Sequence, residues 1–486
     1  MDSRRRWLAL IVLCLGDVMI VLDSTIVNIA LPSIRRDLDF TPASLAWVVN
    51  GYLLTFGGFL LLGGRLGDLF GHRRLFLSGI GLFTLASLVC GLSNSQALLV
   101  GARAVQGVGG AVVSAVALSL IMSLFTEPGE RARAMGFFGF VAAGGGSIGV
   151  LLGGILTSAL NWHWIFFVNL PIGAAVCVLT VLVLPADTLR RAGARLDVAG
   201  AVTVTSALLL AVYAIVNGNE AGWTSARTIG LLALAAGLIW LFLTIESRIA
   251  EPLVPLRLFR QRDIATSNVV AVLWAAAMFA WFFLSALYLQ LVLGYSPLQV
   301  GLAFLPANVI MGVFSLGLSA KIVLRFGIKA PLVTGLALAA GGLLLFALAP
   351  VGGSFVVHVL PAMLLLGFGA GIAFNPMLLA AMSGVEPSDS GLASGVVNTA
   401  FMMGGALGLA ILASLAAART AGLQAAGVAP LAAFNGGLRA AFLVGACAAA
   451  LAAGLSAWLL ELRAAAATPE ADDGAAESPA LVAGRR

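Results

Sequence analysis

IATSNVVAVLWAAAMFAWFFLSALYLQLVLGYSPLQVGLAFLPANVIMGVFSLGLSA, residues 264–320, runs for 57 residues without one Asp, Glu, Lys or Arg. Charged residues make up about a quarter of an ordinary soluble chain, so such a stretch has no place in one. It is long enough for two helices of the ~20 residues that cross a ~30 Å hydrocarbon core. Residues 134–186 and 330–385 are equally free of charge. The whole chain is 61% hydrophobic and 10% charged, with a mean hydropathy of +1.06. The period-2 alternation of a membrane barrel is missing, and Leu, Ala and Gly dominate. The spans are therefore helices, which satisfy their own backbone hydrogen bonds in lipid. The fold class is an all-α polytopic membrane protein.

Hydropathy along the chain predicts fourteen spans, near 7–30, 45–64, 75–93, 98–124, 134–157, 163–184, 197–216, 227–246, 264–289, 298–320, 331–349, 355–380, 391–416 and 439–461. With the N-terminus in the cytoplasm, 21 of the 27 basic residues fall in segments on that side, 5 on the other, and Arg103 inside a span. Basic residues mark cytoplasmic loops, so both termini are expected to be cytoplasmic. The formal charge of +6 follows from this topology and calls for no nucleic-acid partner. "MDSRRRWLALIVLCLG" (1–16) is expected to be a retained first span, because its apolar run outlasts the h-region of a signal peptide. Cys14, Cys90, Cys177 and Cys447 lie in apolar runs without metal-ligand spacing and read as core residues.

A weak internal repeat is present. "GRLGDLFGHRRL" (64–75) follows span 2 and "AKIVLRFGIKAPL" (320–332) follows span 10. Phe70 and Gly71 match Phe326 and Gly327, with a basic residue two places after each glycine. The echo predicts two six-span halves, 1–185 and 264–463, separated by two inserted spans within 186–263. The polar, Ala-rich tail 464–486 is expected to be disordered.

Three ionisable groups fall deep in predicted spans: Asp17, Asp23 and Arg103. A carboxylate in hydrocarbon costs several kcal/mol, so a retained one marks a function by default, here a proton or substrate-cation site. Asp17 and Asp23 stand about 120° and ~9 Å apart on a helix and need not share a face. Each has a simpler reading, as a group that orients span 1 against a polar neighbour. Arg103, Gln106, Gly107 and Gly110 form one helical stripe. The arginine either modulates a nearby carboxylate or ties helix ends together. Gly145, Gly149 and Gly153 repeat every four residues of span 5, with Gly136 before and Gly154 after them, a face suited to close packing and bending. In the loop, Gly64, Asp68, Gly71, Arg73 and Arg74 combine a positive-inside anchor with an acid that anchoring does not need. Asp68 is a candidate gate that caps a helix N-terminus.

Enzyme chemistry is not expected. His72, His163 and His358 are scattered among loops, no nucleophile elbow is present, and "GVGG" lacks the Lys-Ser/Thr of a nucleotide-binding loop. No metal or other cofactor is called for. Coupling to an ion gradient is what remains.

These residues resemble the major facilitator superfamily, and within it the fourteen-span drug:proton antiporters, over about residues 7–462. "LDSTIVNIALP" (22–32) is similar to that branch's first-helix motif, "GRLGDLFGHRRL" to the superfamily loop motif, and "RAVQGVGGA" (103–111) to the span 4 motif associated with proton coupling. Span 5 is similar to the antiporter motif, with Val150 where the family has proline, so that bending there falls to the glycines. "WHWIFFVNLPIG" (162–173) and "GLASGVVNTAFMMGGALG" (391–408) are further family-like stretches.

The resemblance implies two six-helix halves plus two central helices in a bacterial cytoplasmic membrane. It implies proton-driven export of small amphipathic molecules, with Asp23 as membrane acid, Arg103 as coupling arginine and Asp68 as loop gate. Asp17 joins them on burial alone. Protons are the coupling ion, lipid surrounds the protein, and the expected unit is a monomer. Asn28, Trp47, Tyr52, Gln106, Trp274, Trp281, Phe282 and Tyr288 are expected to line a substrate cavity. Two rival readings stay open: an exporter dedicated to one metabolite or self-made antibiotic, and a sensor that moves nothing. Arg outnumbers Lys 25 to 2, which with the alanine richness points to a GC-rich genome.

Overall fold

The structure is a computed structural model that describes residues 2–41, 44–185, 197–249, 252–254, 256–314, 318–382 and 390–460. The linker 186–196 and the tail 464–486 lie outside the described residues, as do the side chain of Asp68 and the surroundings of Gly64 and Gly136.

The N-terminal half comprises α1 (Ser3–Asp37), α2 (Trp47–Phe70), α3 (His72–Gly91), α4 (Gln96–Leu124), α5 (Pro128–Ala159), α6 (Trp164–Phe167) and α7 (Asn169–Val183). An antiparallel pair follows, α8 (Val198–Ala221) and α9 (Ala226–Arg248). The C-terminal half contains α10 (Arg262–Leu287), α11 (Pro297–Val313), α12 (Ser319–Phe326), α13 (Lys329–Leu348), α14 (Leu360–Ala381), α15 (Ser390–Ala425) and α16 (Pro430–Leu459). Proline opens α5, α11 and α16, where its missing N–H costs nothing. Ser296 and Gln299 close a capping box on α11. The predicted span 163–184 is interrupted at Val168. Pro171 has no N–H to give the carbonyl of Phe167, so α6 and α7 separate there.

Among the described residues, twelve helices are long and apolar enough to cross a membrane. The fifth and tenth predicted spans fall on α5 and α11, whose described apolar stretches, Ile148–Ala159 and Pro297–Val313, are shorter.

The internal repeat appears in the packing. In the N-terminal half α1 packs on α5 and α7, α2 on α4, and α3 on α4 and α7. In the C-terminal half α10 packs on α15 and α16, α11 on α14, and α13 on α14 and α16. Each contact has its counterpart. The halves meet along two equivalent seams, α2 with α15 and α5 with α11. Gly71 (φ 94°) alone turns α2 into α3, and Gly327 (φ 73°) with Ile328 turns α12 into α13. Their positive φ is open to glycine and strained for other residues, which explains why this pair survives in an otherwise faded repeat.

The inserted helix α8 lies along the α2–α15 seam. Asn219 on α8 donates to the Ser414 carbonyl of α15 (2.8 Å), Ser414 donates to the Ile215 carbonyl (3.0 Å), and the Tyr213 ring faces Trp47 of α2 at 6.4 Å.

Candidate functional site

The deepest charges of the bundle converge. Asp23 on α1 and Arg103 on α4 are both 0% exposed and form an ion pair between Asp23 Oδ2 and Arg103 Nη1. Gln106 Nε2 donates to Asp23 Oδ1 at 2.8 Å, and Asn169 Nδ2 on α7 donates to the same oxygen at 2.9 Å. Gln106 also accepts from Arg103 Nη1 (2.7 Å) and donates to Ser87 Oγ on α3 (2.7 Å). Arg103 Nε donates to the Val48 carbonyl in the first turn of α2 (3.0 Å). The guanidinium stands 4.4 Å from the centroid of Tyr52 and 5.8 Å from that of Phe166. The carboxylate thus links α1, α4 and α7, its amide donors reach Ser87 on α3, and its counter-ion adds α2 and α6.

Burying two ions is repaid only when their remaining hydrogen-bonding capacity is also met. Here the Asp23 carboxylate accepts three N–H donors, from Arg103, Gln106 and Asn169.

Asp17, 5% exposed, also reaches α4, where Ser114 Oγ donates to its Oδ1 at 3.0 Å. The two acids therefore face one helix despite their angular separation on α1.

The glycines of α5 divide into two sets. A Cβ at Gly145 would meet Val21 at 3.4 Å. One at Gly149 would meet the Leu22 carbonyl at 2.8 Å and the Thr25 hydroxyl, and one at Gly153 the Ile26 carbonyl at 2.8 Å. They seat α5 on the turn of α1 that presents Asp23. Gly154 instead faces Pro297 and Leu298 of α11 in the other half, and the Val150 carbonyl approaches Gly301 of α11. These glycines make two close-packing contacts on one continuous helix, with α1 and with α11.

In the loop cluster, Arg73 Nη2 donates to the Val181 carbonyl of α7 (2.7 Å) and Arg74 is exposed. The gating role of Asp68 lies outside the described side chains.

The expected cavity wall is dispersed. Gln106 belongs to the acid network, and Trp47 faces α8. Asn28 Nδ2 donates to the Ser24 carbonyl of its own helix at 3.3 Å. Tyr288 donates to the Pro350 carbonyl (2.8 Å) with its ring edge-on to Phe346, which commits it to packing within the C-terminal half. Trp274 and Trp281 of α10 are fully buried with no partner for either indole N–H among the described residues, and Trp281 lies against Phe282 and Phe304. Among the described residues no cluster of three or more His, Cys, Asp or Glu side chains is placed to hold a metal ion. Ser87, Ser114 and Asn169 were not singled out from sequence. Asn169 carried a signal, an amide in the apolar run "FFVNLPIG"; the serines carried none.

Residues 13–409 match the family model for the Major Facilitator Superfamily. The chain is 40% identical to puromycin resistance protein pur8 of Streptomyces alboniger, over 86% of this chain and 83% of that protein. It is also 40% identical to cephamycin export protein CmcT of Amycolatopsis lactamdurans, over 85% and 86%. With multidrug resistance protein Stp of Mycobacterium tuberculosis it shares 37%, over 86% and 77%. Among solved structures, a bacterial homologue of the human lysosomal transporter Spinster superposes with a TM-score of 0.66 at 16% identity, covering 96% of this chain and 100% of the other.

Proposed function

The chain belongs to the Major Facilitator Superfamily, and from that membership we propose that it exports amphipathic drugs or antibiotics across a bacterial cytoplasmic membrane in exchange for protons. One observation carries the reading: a fully buried Asp23 carboxylate gripped by Arg103, in a chain closely similar to antibiotic resistance and export proteins. The architecture is two six-helix halves, 1–185 and 264–463, with α8 and α9 inserted. It makes fourteen spans once α5 and α11 are included, with both termini in the cytoplasm. It works as a monomer in lipid, without a cofactor.

The network supports the following cycle. An ionised Asp23 binds Arg103 and holds α1 against α4. A proton from outside neutralises the acid and loosens the pair, which favours the inward-facing state. Drug binding favours return of the proton to the cytoplasm, and the halves rock about the α2–α15 and α5–α11 seams. For a neutral drug exchanged against one proton, ~1.4 kcal/mol per pH unit and ~2.3 kcal/mol per 100 mV support roughly a 500-fold concentration gradient.

The test is uptake of puromycin and ethidium into proteoliposomes under an imposed pH gradient. Gradient-driven transport of several unrelated compounds supports the reading. Transport of one compound only favours a dedicated exporter, in keeping with the single antibiotics named in two of the relatives. Absence of transport across a broad panel overturns both.

A further inference from the structure

Between the two acids of α1 stands a hydroxyl without a partner. Tyr52 on α2 is 2% exposed, its Oη makes no hydrogen bond among the described residues, and the charged groups that face it are Asp23, Arg103 and Asp17. Its height in the bundle can be read along α4. Gln106 holds Asp23, Ser114 holds Asp17, and a Cβ at Gly110 would stand 3.0 Å from the phenol oxygen. Four residues of α-helix advance ~6 Å, so the hydroxyl lies one turn from the anchor of each acid. The ring is held in place by the Arg103 guanidinium and by stacking on Phe56, centroids 5.7 Å apart. Leaving a buried hydroxyl unpaired costs ~1–3 kcal/mol, a cost that phenylalanine would avoid if only the ring were needed.

We propose that the Tyr52 hydroxyl relays the coupling proton between Asp17 and Asp23, an inference that rests on the proton exchange proposed above. The protonated Asp17 carboxyl gives its proton to a lone pair of the phenol oxygen, and the phenol yields its own O–H proton to the Asp23 carboxylate. The phenol oxygen is bonded to neither acid in this structure, so each transfer passes through a bridging water. At the two acids and the phenol two O–H bonds break and two form, and each bridging water gives up one proton for the one it takes. The phenol ends neutral, and the net change is one proton moved from Asp17 to Asp23. Arrival of the proton neutralises Asp23 and frees Arg103, so the relay converts protonation at Asp17 into release of the α1–α4 ion pair.

The experiment compares the reconstituted parent, Tyr52→Phe, Asp17→Asn and the double variant, with puromycin and ethidium as probes. Three quantities are read: pH-gradient-driven transport, counterflow without a gradient, and probe affinity. The expected result for Tyr52→Phe is gradient-driven transport slowed by about 100-fold, with counterflow and affinity unchanged. The double variant should be no slower than Asp17→Asn alone. Undiminished gradient-driven transport in Tyr52→Phe overturns the relay, as does a parallel loss of counterflow and affinity, which assigns the hydroxyl to the drug. A parent without gradient-driven transport overturns the exchange reading itself, and the relay with it. If Tyr52→Phe does not fold, Gly110→Ala, which crowds the phenol and keeps its hydroxyl, must give the same split between driven transport and counterflow or the relay falls.

Discussion

Asp23→Asn keeps the shape of the side chain and removes its charge, which leaves Arg103 buried without a counter-ion. Asparagine also has one acceptor where the site uses two. If its oxygen faces Arg103, its NH2 group meets the amides of Gln106 and Asn169. Asn169 can turn its unpartnered Oδ1 to accept. Gln106 cannot turn without giving up its bond to Arg103. Breaking a buried ion pair from one side costs about 3–5 kcal/mol. Arg103 keeps the Val48 carbonyl, Gln106 and the Tyr52 ring, so the low end applies, about 3 kcal/mol or roughly 150-fold in the folding equilibrium. Adding Arg103→Gln removes the stranded charge, and the double variant should recover about 2 kcal/mol. The assay is denaturant unfolding in detergent for the four proteins of the cycle, paired with drug transport under a pH gradient. Asp23→Asn should lose gradient-driven transport as well as stability. A variant within about 1 kcal/mol of the parent that still transports under the gradient would refute the reasoning.

The glycines of α5 and α9 should separate by what faces them. Gly149→Ala drives a methyl into the Leu22 carbonyl of α1 and should destabilise by about 1–3 kcal/mol with loss of transport, whereas Gly237→Ala, with nothing within 4 Å, should be neutral or slightly stabilising in thermal unfolding. His163, stacked on Trp162 with ring centroids 3.7 Å apart, is held below the ordinary imidazole pKa of 6.5 by its burial, against the opposing pull of Asp37. Since the unfolded chain takes this proton first, the contribution of His163 to stability is complete above about pH 6.5 and declines as pH falls below it. His163→Gln should flatten that acid limb of stability against pH, and an unchanged limb would count against the assignment.

The membrane-helical class and the approximate number of spans could be read from the sequence because they are one-dimensional. Runs such as 264–320 exclude charge over whole span lengths, and Gly71 and Gly327 recur because the backbone there needs positive φ. Asp23 and Arg103 stood out for the same reason, as charges at depths where few are tolerated. What those charges touch is a three-dimensional matter. Asn169 lies 146 positions from Asp23 and Ser87 is an unremarkable hydroxyl, and both enter the network only because α3 and α7 pack beside α1 and α4. Periodicity set Gly145, Gly149, Gly153 and Gly154 on span 5, yet only the crossing of α1 and α11 over α5 divided them between two partners. Tyr52 read as one aromatic among many. Its unpaired hydroxyl acquired meaning from the register of α2 on α4, since a sequence records which groups can form hydrogen bonds and the tertiary structure decides which are left without a partner.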